Sequence, residues 1–197
     1  YNVMEGTLFI GGYPIDKIPL SVLRENIGYV DQEPYLFSST IRENITFGVN
    51  EATDDAVADV IKKSGLSADL NRFPEGLETV IGERGVTLSG GQIQRIALAR
   101  ALMTRPDILV LDDAFSSLDA ETEEDILSNI SEFTRGATTI IVSHRLSAVR
   151  KADRIIVLDQ GRIVEDGMHE ELIQLNGKYA QVYKNQALAM EMEITLQ

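Results

Sequence analysis

The chain has 197 residues, 44% of them hydrophobic and 25% charged, which is the size and composition of one ordinary globular domain and excludes a disordered or fibrous protein. Eighteen Lys and Arg against 31 Asp and Glu give a formal net charge of −13, which argues against general binding to nucleic acid or anionic membrane surfaces. The lack of cysteine excludes disulfides and thiolate metal sites. Because the chain begins with Tyr1 and not with Met, we expect it to be a segment of a longer protein.

Alternating strand-like and helix-like segments predict an α/β fold. Short apolar or β-branched runs predict strands at Thr7–Ile10, Gly28–Val30, Ile108–Leu111, Thr138–Val142, Arg154–Leu158 and Arg162–Glu165. The stretch from Ser39 to Met103 has no convincing strand. Its pattern predicts helices at Thr40–Phe47, Thr53–Lys63, Ala68–Arg72 and Gly91–Met103. We therefore expect a mainly parallel sheet core from residues 1–38 and 105–176, an inserted α-helical subdomain from 39–104, and a C-terminal helical tail from 177–197.

The segment Leu88-Ser89-Gly90-Gly91-Gln92, at the start of the last of these helices, is the strongest chemical signal. Its two glycines let the backbone approach a ligand closely, and Ser89 can cap the helix. The free N–H groups at a helix start attract an anion, for which phosphate is the natural candidate. For these five residues alone, an ordinary capped helix after a glycine turn is the alternative.

Asp112 and Asp113 follow the run Ile108–Leu111, which is apolar on both faces, as a central parallel strand should be. Open α/β sheets bind their ligands at the carboxyl ends of the strands. Two adjacent carboxylates there are costly to keep ionised without a cation or hydrogen-bond donors. We therefore expect a hard ion such as Mg²⁺, with phosphate oxygens completing its shell, and the alternative is a helix cap or turn.

Gln32 and His144 also follow predicted strands, which end at Val30 and Val142. A lone histidine is more often a structural residue than a ligand-binding one. Here, however, three separate strands deliver a polar group to what should be one edge of the sheet. This convergence, more than any single residue, argues for a functional site.

In order and spacing these segments resemble the motifs of ABC-type ATPases. Leu88–Gln92 resembles their signature motif, Ile108–Asp113 their Walker B strand, Gln32 their Q-loop glutamine, Ser117-Leu118-Asp119 their D-loop and His144 their switch histidine. Two further segments, Glu33–Ile45 and Gly82-Glu83-Arg84-Gly85, resemble those that in ABC exporters meet the coupling helices of the membrane domains. A solvated loop is the alternative, since charged Glu83 and Arg84 need no partner on a surface. The resemblance implies a P-loop NTPase-like core with an inserted helical subdomain.

The resemblance also implies a role for each residue. In this family two nucleotide-binding domains dimerise head to tail, and each ATP lies between the P-loop of one and the signature of the other. Leu88, Ser89, Gly90, Gly91, Gln92 and Asp119 would then bind ATP, with Ser89, Gly90 and Gly91 on its γ-phosphate. Gln32 and Asp112 would bind Mg²⁺, and the catalytic residues would be Asp113, Gln32 and His144, the last in contact with the γ-phosphate.

The first departure from the family pattern is the absence of any Gly-x-x-x-x-Gly-Lys-Ser/Thr. In the family this P-loop lies shortly upstream of a segment like Glu5–Gly12, so we expect it, and the N-terminal strands around it, just before Tyr1. The chain then lacks the main phosphate cradle and the aromatic residue that stacks on adenine. By itself it is not expected to hydrolyse ATP.

The second departure is Asp113, where most family members have the Glu that polarises the attacking water. Aspartate is shorter by one methylene, about 1 Å of reach, and a misplacement of that size can cost on the order of 10²-fold in rate. An intact signature beside this substitution resembles the degenerate-site subunit of heterodimeric exporters. We therefore expect a second ABC nucleotide-binding domain as partner, in a heterodimer.

The leading hypothesis is the ATP-driven motor domain of a multidrug- or lipid-type exporter, on the cytoplasmic face of the cell membrane and attached to its own N-terminal transmembrane domain. A soluble ABC ATPase acting on DNA or ribosomes is the main alternative. The sequence has neither the coiled-coil arms nor the second cassette usual in such proteins, and its acidic charge argues against a nucleic-acid partner. A nucleotide-sensing module that binds ATP without hydrolysis is the third hypothesis, motivated by Asp113.

Overall fold

The structure, a computed structural model, describes residue 4, residues 6–82 and residues 85–195. Along the chain it divides into two units, Tyr1–Val142 and Ser143–Gln197. Of the segments used above, Glu5, Glu83 and Arg84 and residues 1–3, 196 and 197 lie outside the described residues. Among the described residues, no helix combines the length and apolar character needed to cross a membrane.

Strands and helices alternate in the first unit. Its strands are β1 (Phe9–Ile10), β2 (Tyr13–Pro14), β3 (Ile27–Val30), β4 (Ile108–Asp112) and β5 (Thr138–Val142). Its helices are α1 (Leu20–Asn26), α2 (Ile41–Thr46), α3 (Asp54–Lys63), α4 (Ser67–Leu70), α5 (Gly90–Met103) and α6 (Ala120–Phe133), with 3-10 turns at Ile15–Lys17 and Gly76–Glu78.

A parallel sheet in the order β3-β4-β5 forms the centre of this unit. Val30 pairs with Leu111, and Asp112 pairs with Val142, so the carboxyl ends of the three strands lie at one edge. The prediction of an α/β fold with a mainly parallel sheet is therefore confirmed. Gln32 and Asp113 each follow one of two neighbouring strands at that edge.

The two faces of the sheet differ in burial. Leu109 and Leu111 of β4 are 0% exposed and lie in the main hydrophobic core. On β3 and β5, by contrast, Tyr29, Ile140 and Val142 are 52%, 48% and 51% exposed. The expectation that β4 is buried on both sides thus holds for one face only. Because parallel sheets are normally covered on both faces, the open apolar face is where a further element would pack.

Helix α5 lies at the centre of the helical part. It packs against α2, α3 and β3, and it is buried around most of its circumference. Thr40 caps α2 through a capping box with Glu43, and Thr53 caps α3 by accepting a hydrogen bond from the amide of Ala56. The predicted helices 40–47, 53–63 and 91–103 are thus confirmed, with bounds that differ by one residue at either end.

Several short elements differ from the sequence-based expectation. The strand predicted at Thr7–Ile10 is shorter than expected: it is the two-residue strand β1, which pairs antiparallel with β2. Helix α1 was not predicted: it is seven residues long, too short for its apolar residues to establish a helical period, and none of its residues is buried. Between residues 39 and 103, the β pairing of the described residues is limited to the isolated bridges Thr40–Val80 and Ile81–Val86. This agrees with the absence of predicted strands there.

The second unit contains α7 (Leu146–Val149), β6 (Ile155–Asp159), β7 (Arg162–Gly167), α8 (His169–Leu175) and α9 (Lys178–Thr195). Strands β6 and β7 form the predicted antiparallel hairpin. Its turn residues Gln160 and Gly161 have φ of 47° and 73°, the left-handed backbone that two-residue hairpin turns favour. Ile155, Leu172 and Tyr179 form a small separate core.

We expect Leu111→Ala to lower the free energy of unfolding of this chain by about 2–5 kcal/mol, because it leaves a cavity beneath the central strand. Urea denaturation followed by circular dichroism measures the loss. Ile140→Ala on the neighbouring strand is the matched control and should cost clearly less, since Ile140 is half exposed. Equal losses for the two variants would contradict the burial pattern of the sheet.

Candidate functional site

The start of α5 is fixed by a capping box. The Ser89 hydroxyl accepts a hydrogen bond from the Gln92 amide at 3.3 Å, and the Gln92 side-chain oxygen accepts one from the Ser89 amide at 3.0 Å. The helix begins at Gly90, one residue before the predicted start. The capping role of Ser89 is thereby confirmed, and phosphate binding at this helix start stays a prediction.

A buried ion pair lies beneath this cap. Asp69 of α4 is 4% exposed, and its Oδ2 accepts hydrogen bonds from Arg95 Nε at 2.9 Å and Arg95 Nη2 at 2.8 Å. Its other oxygen accepts from Gln92 Nε2 at 3.1 Å. Burying a charge is costly unless it is paired and hydrogen-bonded, and here every bond converges on the first turns of α5. Asp69 was not predicted, and its partners lie 23 and 26 residues away in sequence.

The two glycines of the predicted signature contact the predicted D-loop. A Cβ at Gly90 would lie 2.9 Å from Ser117 Oγ, and one at Gly91 would lie 3.1 Å from Leu118 Cδ2 and 3.2 Å from the Ser117 carbonyl oxygen. Real Cβ contacts are seldom so short. The glycines are therefore needed for close packing within the chain. From the sequence, the approach of a ligand was the only apparent reason for them.

Gln94 joins the same two segments. It is 3% exposed; its Nε2 donates to Ser116 Oγ at 2.8 Å and its Oε1 accepts from the Ser117 amide at 3.1 Å. Buried polar groups destabilise a fold unless they are hydrogen-bonded, and both ends of this amide are. The start of α5 and residues 116–118 thus form one packed element. Sequence reasoning missed Gln94, because nothing in its spacing distinguishes it from an exposed helix residue.

A pocket of about 260 Å³ opens at this element. It is lined by Gln32, Glu33, Pro34, Gly90, Ile93, Gln94 and Ser117. The structure therefore brings the predicted Q-loop residue to the start of the predicted signature helix. A larger cavity of about 420 Å³ is lined by residues 105–107 and 133–137, which precede β4 and β5, and it contains none of the predicted site residues.

Asp112 ends β4, and its Oδ2 accepts a hydrogen bond from the Tyr29 hydroxyl at 3.3 Å. Partial burial, together with the charges of Asp31 and Asp112, raises the pKa of Tyr29, so the phenol stays protonated and continues to donate. Tyr29 lies on the neighbouring strand β3 and was not singled out in the sequence. The contact shows that the carboxylate of Asp112 points across the sheet toward β3.

Asp113 has φ of 46°, in the left-handed region that few residues other than glycine adopt. Its amide donates to the Val142 carbonyl at 2.8 Å, which ties the end of β4 to the end of β5. Aspartate tolerates this conformation better than most side chains, and such backbone outliers cluster at functional sites. The predicted catalytic position is thus a strained turn directly after the central strand.

The oxygen donors of the chain fit a magnesium ion that is also bound by substrate phosphates better than one held by protein groups alone. Among the described residues, no group of three or more His, Cys, Asp or Glu could hold a metal ion. Mg²⁺ is usually bound by one or two carboxylates together with the phosphates of its substrate. The Asp112 carboxylate and the Gln32 side-chain oxygen are hard donors of this kind, and magnesium binding by them stays a prediction.

Asp119 caps α6. Its carboxylate accepts hydrogen bonds from the Thr122 amide and the Thr122 hydroxyl, each at 2.8 Å. These bonds lower the pKa of Asp119, so the cap is complete at neutral pH and is lost as the pH falls through that lowered pKa. The observed role of Asp119 is therefore structural, and its predicted contact with ATP stays a prediction.

His144 belongs to the second unit and is exposed. It follows the end of β5 by two residues, and its backbone carbonyl accepts a hydrogen bond from Gln186 of α9 at 2.7 Å. The strand-end position expected for this residue is confirmed, whereas its catalytic role stays a prediction.

The far end of α5 is tied to the segment that resembles the coupling region of exporters. Arg100 donates to the Asn44 carbonyl, the Asn44 side-chain oxygen and the Tyr35 carbonyl, each at 2.8 Å. Asn44 is fully buried and also bonds both backbone groups of Phe37. Burial lowers the pKa of Arg100. Arg100 therefore ties α5 to this segment at both Asn44 and Tyr35.

A family comparison matches residues 1–116 of the chain to the family model described as ABC transporter. Among curated proteins, the chain is 52% identical over 188 residues to the probable multidrug resistance ABC transporter ATP-binding/permease protein YheI of Bacillus subtilis (strain 168), covering 95% of this chain and 32% of that protein. It is 44% identical over 189 residues to the mitochondrial potassium channel ATP-binding subunit of Rattus norvegicus, covering 95% of this chain and 26% of that protein.

Among solved structures, the chain resembles a bacterial Atm1-family ABC exporter with ATP bound, with a TM-score of 0.86 and 41% identity. The match covers 91% of this chain and 32% of the exporter chain. The chain thus spans about a third or less of the length of these relatives.

We expect Asp69→Ala to lower the free energy of unfolding by about 3–5 kcal/mol, because it leaves Arg95 mostly buried without its anionic partner. Urea denaturation measures the change. Asp125→Ala, which removes an exposed carboxylate of α6, is the control and should change the free energy by less than about 0.5 kcal/mol. A loss for Asp69→Ala as small as the control's would show that the ion pair does not anchor α5.

Proposed function

Since the chain belongs to the ABC transporter family, we propose that it is most of the ATP-binding domain of an exporter and that its site uses ATP binding and hydrolysis to drive export. The observation that carries the proposal is the ordered set of signature, Walker B, D-loop and Q-loop segments on one α/β framework. Further support comes from relatives described as ATP-binding/permease and ABC exporter proteins. The transported substrate would contact the membrane domain, so its identity is left open.

In this proposal the signature residues bind an ATP held by a second nucleotide-binding domain, with Ser89, Gly90 and Gly91 on its γ-phosphate. The full set is Leu88, Ser89, Gly90, Gly91 and Gln92. Ser89 and Gly90 are exposed at the start of a 14-residue helix. The first N–H groups of a helix have no partner within it and carry partial positive charge, so they can neutralise the phosphate. The buried Asp69–Arg95 pair supports the proposal, because an anion site works best when its donors are held in place beforehand.

The chain's own ATP site would take Mg²⁺ on Asp112 and Gln32. When bound there, the ion would neutralise charge on the phosphate oxygens. Asp113 would orient the attacking water, and His144 would contact the γ-phosphate. The P-loop that completes this site would come from residues outside this chain, and an element that carries it could cover the open apolar face of the sheet.

We further propose a heterodimer in which the signature of this chain serves the competent site and Asp113 belongs to a slow one. The shorter reach of aspartate at position 113, where most family members have glutamate, supports this assignment. The segment Glu33–Ile45, tied to α5 through Asn44 and Arg100, would meet the coupling helices of the protein's own transmembrane domain at the cytoplasmic face of the membrane.

We expect the purified 197-residue chain to show no steady Mg²⁺-dependent release of phosphate from ATP, because it has no P-loop to hold the β- and γ-phosphates. The complete protein, assayed in parallel, is the positive control. Sustained turnover by the chain alone would refute the proposal that its active site is completed by residues outside it.

In the complete heterodimer we expect Ser89→Arg to abolish most of the ATP turnover, because its side chain would fill the phosphate position of the competent site. Asp113→Glu should change turnover only modestly, since it alters the slow site. Steady-state phosphate release measures both. Ser128→Arg, at an exposed serine of α6, controls for the added charge and should leave turnover unchanged. Severe and equal losses for Ser89→Arg and Asp113→Glu would argue against two unequal sites.

A further inference from the structure

The C-terminal helix α9 reaches the backbone next to His144 through one side chain, Gln186. Its Nε2 donates to the His144 carbonyl at 2.7 Å, and its Oε1 accepts from the Leu146 amide at 3.0 Å. The two contacts join residues 42 and 40 positions apart in sequence, all within the second unit. One carboxamide thus bonds the carbonyl of His144 and the amide of the residue two positions after it.

One of these bonds satisfies a backbone N–H that has no hydrogen-bond partner within its own helix. Leu146 is the first residue of α7, and the first N–H groups of a helix have no acceptor inside it. The preceding amide, that of Arg145, donates to the Ser143 hydroxyl at 2.9 Å. The backbone next to His144 is therefore bonded by the side chains of both Ser143 and Gln186. Its orientation sets the direction in which the imidazole extends.

Helix α9 is itself firmly anchored where it begins. The Glu165 carboxylate of β7 accepts hydrogen bonds from the amides of Lys178 and Tyr179, and the Lys178 ammonium pairs with Asp159 at 2.5 Å. Tyr179 is buried, and its hydroxyl is bonded to His169 Nδ1 at 2.8 Å. A helix fixed in this way can hold Gln186 at a set position relative to the hairpin.

We propose that Gln186 is a positioning residue for His144: it orients the backbone from which the histidine reaches the γ-phosphate. The inference rests on the proposed function, in which His144 contacts that phosphate. It gives the tail, whose sequence alone indicated only a helix, a role in ATP hydrolysis.

The test uses Gln186→Met in the complete protein, because methionine keeps the length of the side chain and favours helix while removing both hydrogen bonds. Every variant also carries Ser89→Arg, which disables the competent site, so that the residual turnover comes from this chain's own ATP site. With MgATP as substrate, we expect this residual kcat to fall about tenfold, since small misplacements of a catalytic group are costly. KM for ATP should change by less than about twofold, because the bonds position a group for the reaction and not for binding. Gln181→Met, at an exposed glutamine of the same helix, is the matched control and should leave both constants unchanged.

The same change in a His144→Ala background separates positioning from general stability. If Gln186 acts through His144, Gln186→Met should cause no further loss once the imidazole is gone. An equal loss of kcat in both backgrounds would overturn the inference. Unchanged residual turnover in His144→Ala, again in the Ser89→Arg background, would instead overturn the proposed role of His144, and so the two failures are distinguishable.

Hydrogen exchange at the Leu146 amide tests the contact independently of activity. We expect faster exchange in Gln186→Met and no change in Gln181→Met, because only the first variant removes the acceptor of this amide. Unchanged protection of Leu146 in Gln186→Met would overturn the inference.

Discussion

The buried ion pair between Asp69 and Arg95 holds the start of α5, and the geometry of the candidate site depends on that start. An unpaired charge in this position would be costly, so the pair tolerates little displacement. Gln92 connects it to the capping box, and the capping box in turn fixes Ser89. The donors that would meet a phosphate are thus held in place by a carboxylate from another helix.

Helix α5 is held at two further places along its length. In the first turns, the buried amide of Gln94 bonds residues 116 and 117, and near its end Arg100 bonds the backbone of Tyr35 and Asn44. Because packed interiors deform little, displacing the segment 33–45 should carry α5 and the loop before α6 with it. Such rigid linkage is what a domain that couples nucleotide chemistry to a membrane partner requires.

Local patterns were sufficient for most of the fold. The aliphatic run of β4 predicted a central strand, Gly161 predicted a hairpin turn, and Ser89 followed by glycines predicted a capped helix. The elements that escaped prediction, α1 and β2, are short. At such lengths the helix and strand periods cannot be told apart, and neighbouring contacts decide the conformation.

The sequence by itself determined the family resemblance, the parallel sheet and the order of the motifs, because these depend on residue type and on spacing along the chain. Only the tertiary structure revealed Asp69, Gln94 and Gln186, whose partners lie 22 to 42 residues away in sequence. It also gave the signature glycines a second role, in close packing against Ser117 and Leu118. A long-range hydrogen bond has no local periodicity, so its partners become visible only once the chain has folded.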